Sequence, residues 1–196
     1  MLYLSKGSKE TEKLAGLLLK KISKLNHKKA IVVALEGELG AGKTVFVKGV
    51  ARALKIKAKI KSPTFTLMKK YSITSSRKSK ILNPKFQTNS KFKIQNSKFL
   101  YHLDCYRLKD HRDLKILGVK EILNNPQNIV LIEWSDRVRE ILPQKHIKIH
   151  IDHIDKNKRK IEINNMYSPP SLKLRKGTSS LNEEMLALRS SEGAKK

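Results

Sequence analysis

Ala30-Ile31-Val32-Val33-Ala34-Leu35-Glu36-Gly37-Glu38-Leu39-Gly40-Ala41-Gly42-Lys43-Thr44 is the stretch on which the fold of this chain turns. Its first six residues are apolar and rich in β-branched side chains, the pattern of a strand buried on both faces. Three glycines follow within six residues, and Thr44 to Leu54 then reads as a helix. Strand, glycine loop and helix follow one another without a break. Gly37 to Thr44 fits glycine, four residues, then Gly-Lys-Thr, a pattern that arises by chance in a chain this long on the order of one time in a hundred.

Each part of the loop has a physical use. Glycines let the backbone wrap an anion with its N–H groups, and the following helix presents the positive end of its dipole. In this pattern the lysine reaches the β- and γ-phosphates of a nucleotide and the Thr hydroxyl ligates Mg²⁺. Gly37, Glu38, Leu39, Gly40, Ala41, Gly42, Lys43 and Thr44 are therefore candidates to bind ATP, with Thr44 also a metal ligand.

Working outward, Leu14, Leu17, Leu18, Ile22 and Leu25 recur at helical spacing, with Ser8 as a cap and Glu10 and Glu12 in the first turn. The reading is an amphipathic helix from Ser8 to Leu25. Downstream, the segment from Lys61 to Leu67 breaks at Pro63 and reads as a loop entering a strand. Phe99 to Asp104 and Asn128 to Glu133 are strands that each end on a carboxylate. Leu108 to Leu123 reads as helix with a break near Gly118. Ile147, Ile149 and Ile151, then Ile161 and Ile163, alternate with polar residues as in a half-exposed antiparallel hairpin.

A magnesium–nucleotide site needs a carboxylate at the end of a strand beside the loop, and Asp104 and Glu133 are the two on offer. One can hold the metal, directly or through water, while the other orients or activates the attacking water. Arg107 and Arg137 follow these acids and can either stabilise γ-phosphate charge or serve surface pairing. Trp134 can pack near the nucleotide or anchor the core. His102 and Cys105 read as ordinary strand residues.

Composition sets the outer limits. The chain has 196 residues, 43 Lys and Arg against 17 Asp and Glu, and a formal net charge of +26. That length suits one domain with appendages. The single cysteine, Cys105, excludes an intrachain disulfide and a cysteine-based zinc site. No apolar run exceeds strand length, which excludes a membrane-spanning helix of about 20 residues. The N-terminal stretch lacks the apolar core of a secretory signal. A cytoplasmic protein without membrane partners is the expectation.

The positive charge is spread through the chain, with one concentration. Ser72 to Lys98 contains Arg77, Lys78, Lys80, Lys85, Lys91, Lys93 and Lys98, no acid, and the repeat Asn-x-Lys-Phe at Asn83, Asn89 and Asn96. So few apolar residues cannot build a packed core, and the segment reads as a disordered insert loop. Phe86, Phe92 and Phe99 between lysines can alternatively stack on single-stranded nucleic acid. Residues 165–196 read as a flexible tail, leaving 1–164 as the folded domain.

Absent motifs narrow the class. There is no Asn-Lys-x-Asp guanine-reading tetrapeptide, no Ser-Gly-Gly-Gln transporter signature, no nucleophilic triad and no Rossmann glycine pattern. Two rivals to an ATPase remain. One is a small-molecule kinase, and the other is a nucleotide-gated module that binds nucleic acid or a partner.

Four motifs in order, Gly37 to Thr44, Ser62-Pro63-Thr64-Phe65-Thr66-Leu67, His102-Leu103-Asp104-Cys105-Tyr106-Arg107-Leu108 and Leu131-Ile132-Glu133-Trp134, resemble the bacterial TsaE (YjeE) family. The resemblance spans roughly residues 8–164. It implies an α/β fold of three layers, like that of P-loop NTPases, with parallel central strands flanked by antiparallel ones. It also implies slow Mg²⁺-dependent ATP hydrolysis in support of the TsaD–TsaB pair, which places a threonylcarbamoyl group on an adenosine of tRNA. By position, Lys43 and Thr44 bind phosphate and Mg²⁺, Glu133 is the metal-side carboxylate, Asp104 the acid near the γ-phosphate, and Thr64 lies in a loop sensitive to nucleotide state. Two departures stand out. Lys69-Lys70-Tyr71 replaces the usual Asn-Glu-Tyr, and Glu133-Trp134-Ser135-Asp136 replaces Glu-Trp-Pro-Glu.

Overall fold

The computed structural model describes residues 1–23, 27–73, 97–108 and 112–165. Seven strands, β1 (Leu2–Ser5), β2 (Ile31–Glu36), β3 (Met68–Ser72), β4 (Phe99–Asp104), β5 (Asn128–Glu133), β6 (Ile147–His153) and β7 (Arg159–Asn165), form one sheet in the order β1-β7-β6-β2-β5-β4-β3. β4, β5, β2 and β6 pair in parallel, while β3, β7 and β1 add antiparallel pairs at the two sides. The expected mixture of parallel centre and antiparallel flanks is what the chain adopts.

Burial explains why these runs are strands. Every residue of β2 and β5 is buried, so both faces of the sheet centre are covered. On one face Val32, Tyr101, Leu103, Val130 and Ile132 pack against Leu114, Val119, Leu123 and Val138, which come from α3 (Arg112–Lys115), α4 (Val119–Asn124) and a 3₁₀ segment (Ser135–Ile141). On the other face α1 (Ser8–Ile22) packs on α2 (Lys43–Ala53), and α2 lies against β5. α1 buries Leu14, Ala15, Leu18, Leu19 and Ile22, and α2 buries Phe46, Val47, Val50 and Ala51, the one-sided stripes of core-facing helices.

Several expectations need correction. α1 is capped by Gly7, with no side-chain cap, so Ser8 is its first residue and not its cap; Glu10 alone is the acid of the first turn and bonds back to the Lys6 N–H at 2.8 Å. The helix closes at Ile22, and residues 24–26 lie outside the described ones. The Leu108–Leu123 helix is two short helices, and the expected break falls at Gly118, which caps α4. β6 and β7 form the expected hairpin, but β6 also pairs with β2 in parallel, which ties the hairpin to the sheet centre. β1 and the 3₁₀ segment were not anticipated.

The basic stretch is the connection between β3 and β4. Its ends adjoin, since Ser72 pairs with Phe99 and the Ile73 N–H donates to Lys98 O at 2.8 Å. The insert reading falls mainly on residues 74–96, and the tail reading on residues 166–196, both outside the described residues. Among the described residues no helix is long and apolar enough to cross a membrane.

Candidate functional site

Parallel strands deliver their carboxyl ends to one edge of the sheet, where open α/β sheets bind ligands. Here β2 runs into the glycine loop, while β4 and β5, in register at Asp104 and Glu133, end in two neighbouring acids. Side chains alternate along a strand, so His102, Asp104 and Glu133 face away from the core that holds Tyr101, Leu103 and Ile132. They face α2, whose first turn carries Lys43 and Thr44.

The loop from Gly37 to Gly42 is shaped by close approach. A Cβ on Gly37 would lie 2.1 Å from Ile151 O of β6, so only glycine fits there. Gly42 caps α2 with φ +112°, a conformation in which a side chain is strained. The Ala41 N–H donates to Glu38 O at 3.1 Å, and Ala41 O accepts from Arg159 Nε of β7 at 3.0 Å. Ala41 is buried, while Glu38, Leu39 and Gly40 are exposed at the tip, with the His153 ring near Gly40.

Lys43 is buried and donates from Nζ to Gly37 O at 2.7 Å and Glu38 O at 2.9 Å. Its Nζ also stands 3.7 Å from the centre of the Trp134 ring, a cation–π contact. Loss of water lowers the proton affinity of this amine, and the charges of Glu133, Asp104, Asp136 and Glu38 partly oppose that. Thr44 Oγ1 donates to both oxygens of Glu133, at 2.9 and 3.0 Å.

Asp104 is clasped by a different segment. Ser62 Oγ and Thr64 Oγ1 both donate to Oδ2, Thr64 at 2.7 Å, and the Tyr106 N–H donates to Oδ1 at 3.0 Å. The Asp104 N–H in turn donates to Leu67 O at 3.0 Å. The loop 62–67 is thus stitched to β4 through one residue, Asp104, by its carboxylate and its backbone N–H. Leu67 and Trp134 both hold positive φ, 60° and 59°, and both border the site.

All the sequence-predicted residues gather here. Trp134 is half-buried between Lys43 and Tyr106, whose ring centre is 4.9 Å away. The arginines have structural partners: Arg107 stacks 4.2 Å over Phe65, and Arg137 lies over Tyr106 and Trp134. Ser62, Arg159 and His102 were missed. His102 is a strand residue, as read, yet its Nε2 is 2.7 Å from Glu133 Oε1. The signal lay in the register of β4 and β5, which no local pattern reveals.

Comparison with known proteins bears on the same residues. The TsaE family, described as "Threonylcarbamoyl adenosine biosynthesis protein TsaE", matches over residues 5–82 and 73–161. The chain belongs to the TsaE family. Among the relatives, the "tRNA threonylcarbamoyladenosine biosynthesis protein TsaE" of Haemophilus influenzae is 36% identical over 152 residues, covering 78% of each chain. Its counterpart in Rickettsia felis is 34% identical and covers 88% of this chain and 84% of its own. That of Bacillus subtilis is 35% identical over 66% of each. In structure, Bacillus subtilis YdiB matches with a TM-score of 0.58 and 26% identity, over 96% of this chain and 95% of its own. The site described above lies within the two stretches that match the TsaE family.

The donor set suits a hard cation. Thr44 and Glu133 offer one hydroxyl and one carboxylate, all oxygen, and Mg²⁺ is commonly held by one or two such protein groups together with substrate phosphates. Among the described residues no group of three or more His, Cys, Asp or Glu is placed to hold a metal ion.

Proposed function

We propose that this TsaE-family chain is a Mg²⁺-dependent ATPase that supports threonylcarbamoyladenosine modification of tRNA in the cytoplasm, acting with partners of the TsaD and TsaB type. The observation that carries the reading is the convergence of Lys43, Thr44, Asp104 and Glu133 on one end of the sheet, beside a glycine loop that opens a helix. The family membership and the printed names of the relatives support the pathway.

In this reading the loop N–H groups and Lys43 bind the phosphates of ATP, and the low-dielectric setting of the Lys43 amine strengthens that attraction. Thr44 and Glu133 would hold Mg²⁺, which when bound neutralises charge on the phosphate oxygens. Asp104, fixed by Ser62, Thr64 and the Tyr106 N–H, would orient the attacking water. Because the same loop carries Thr64 and the exposed Phe65, a change at the nucleotide reaches a surface that partners can touch. tRNA is engaged through those partners or through the basic connection 72–98.

The test is phosphate release from ATP by the purified protein, alone and with TsaD and TsaB, with Lys43→Ala as the blank. Stimulation by the partners that disappears in the variant supports the reading. ATP binding without stimulation overturns the pathway assignment. A phosphorylated metabolite as product points to a kinase instead.

A further inference from the structure

We propose that His102 is a positioning residue for Glu133: its Nε2–H fixes one carboxylate oxygen so that the other side of the group is presented to Mg²⁺. This rests on the reading of Glu133 as the metal-side acid.

The geometry argues it from three sides. His102 is fully buried on β4, and Glu133 is nearly so on β5, with 2.7 Å between Nε2 and Oε1. An ionised carboxylate only accepts, so the ring nitrogen is the donor. His102 Nδ1 is buried and has no hydrogen-bond partner among the described residues, which leaves Glu133 as the polar anchor of the ring. A half-satisfied buried imidazole carries a desolvation cost that an apolar side chain would avoid. Packing alone is therefore better served by leucine at this position, and the imidazole is accounted for by its bond to Glu133.

Thr44 cannot do the same task. Its hydroxyl sits at nearly equal distances from Oε1 and Oε2, so it does not distinguish the two oxygens. His102 contacts Oε1 alone and removes that equivalence. Hydrogen bonds from outside the ligand set commonly tune metal affinity by about 10- to 100-fold when they are lost.

The experiment measures ADP affinity by calorimetry, with EDTA and with saturating Mg²⁺, for the wild type, His102→Leu, His102→Gln and His102→Asn. Glutamine places an amide N–H where Nε2 stands; asparagine stops at the depth of Nδ1. Metal-free affinity is expected to agree within about twofold in all four proteins. The gain in affinity that Mg²⁺ brings is expected to fall about tenfold in the Leu and Asn variants and to stay within about threefold of wild type in Gln. If His102→Leu does not fold, the Gln and Asn pair decides. An unreduced Mg²⁺ gain in Asn, or equal losses in Gln and Asn, overturns the proposal while leaving the nucleotide site standing. A wild-type protein that binds ADP with no Mg²⁺ gain removes the metal role of Glu133 and the role of His102 with it.

Discussion

Thr44 and Glu133 stand 89 positions apart in the chain, yet one hydroxyl bridges both oxygens of the carboxylate, at 2.9 and 3.0 Å. The contact ties the first turn of α2 to the end of β5, so the acid proposed to hold the metal is in place within the folded protein itself. Such preorganisation is what an electrostatic catalyst requires.

The two acids should separate binding from chemistry. Glu133→Gln and Asp104→Asn are each expected to lower the rate of ATP hydrolysis by about 100-fold or more, the range for removing an acid–base group or fixed dipole. Nucleotide affinity measured without metal, in EDTA, should change by less than about fivefold. Paired measurements of turnover and equilibrium binding check this; equal losses in both would assign the acids structural roles.

Ser62 and Thr64 place Asp104 from outside. Replacing both with alanine removes the two donors to Oδ2 and leaves the Tyr106 N–H on Oδ1. Turnover is expected to fall about thirtyfold, at a loss of about 1 kcal/mol for each of the two hydrogen bonds, while the affinity for ATP is kept. Steady-state kinetics that show a change in KM alone would contradict this.

Arg159 braces the glycine loop from β7 by donating to Ala41 O. Arg159→Met keeps the bulk of the side chain and removes the donor. The expected outcome is a weaker nucleotide affinity, by about fivefold, together with a slightly lower melting temperature, as for the loss of about 1 kcal/mol. Binding unchanged from wild type would place the brace outside the function of the loop.

Three central strands, the β6–β7 hairpin and the loop were legible in the sequence, whereas the sheet order was not. Ile31–Glu36, Phe99–Asp104 and Asn128–Glu133 read correctly because strands buried on both faces leave continuous apolar runs. β1 escaped because four residues with Leu2 and Leu4 outward carry no decisive pattern, and its strand identity comes from pairing with β7. The alternation of Ile147, Ile149 and Ile151 told which face of β6 is covered, and could not tell that β2 is its parallel neighbour. The same limit hid Arg159 and His102. Each acts through a partner brought near by strand register, 118 and 31 positions away respectively.

Cys105 offers a pH test. Burial, reinforced by the charge of Asp104, pushes its thiol up to about 12. A group raised in the folded state stabilises the fold fully below its unfolded value, near 9, and loses that contribution as pH rises toward the folded value. The native protein should therefore resist a thiol reagent at pH 8 and react once denatured. Between pH 9 and 12 the wild type should lose stability more steeply than Cys105→Ala. Prompt labelling of the native protein at pH 8 would show that the thiol is accessible.

The most direct measurement is the yield of threonylcarbamoyladenosine on tRNA over many turnovers, with TsaD, TsaB and a threonylcarbamoyl donor, with and without this chain. The account predicts that the wild-type chain with Mg²⁺ and ATP raises the yield and that Lys43→Ala does not. A yield that is the same with the wild type, with the variant and with no added chain would contradict it.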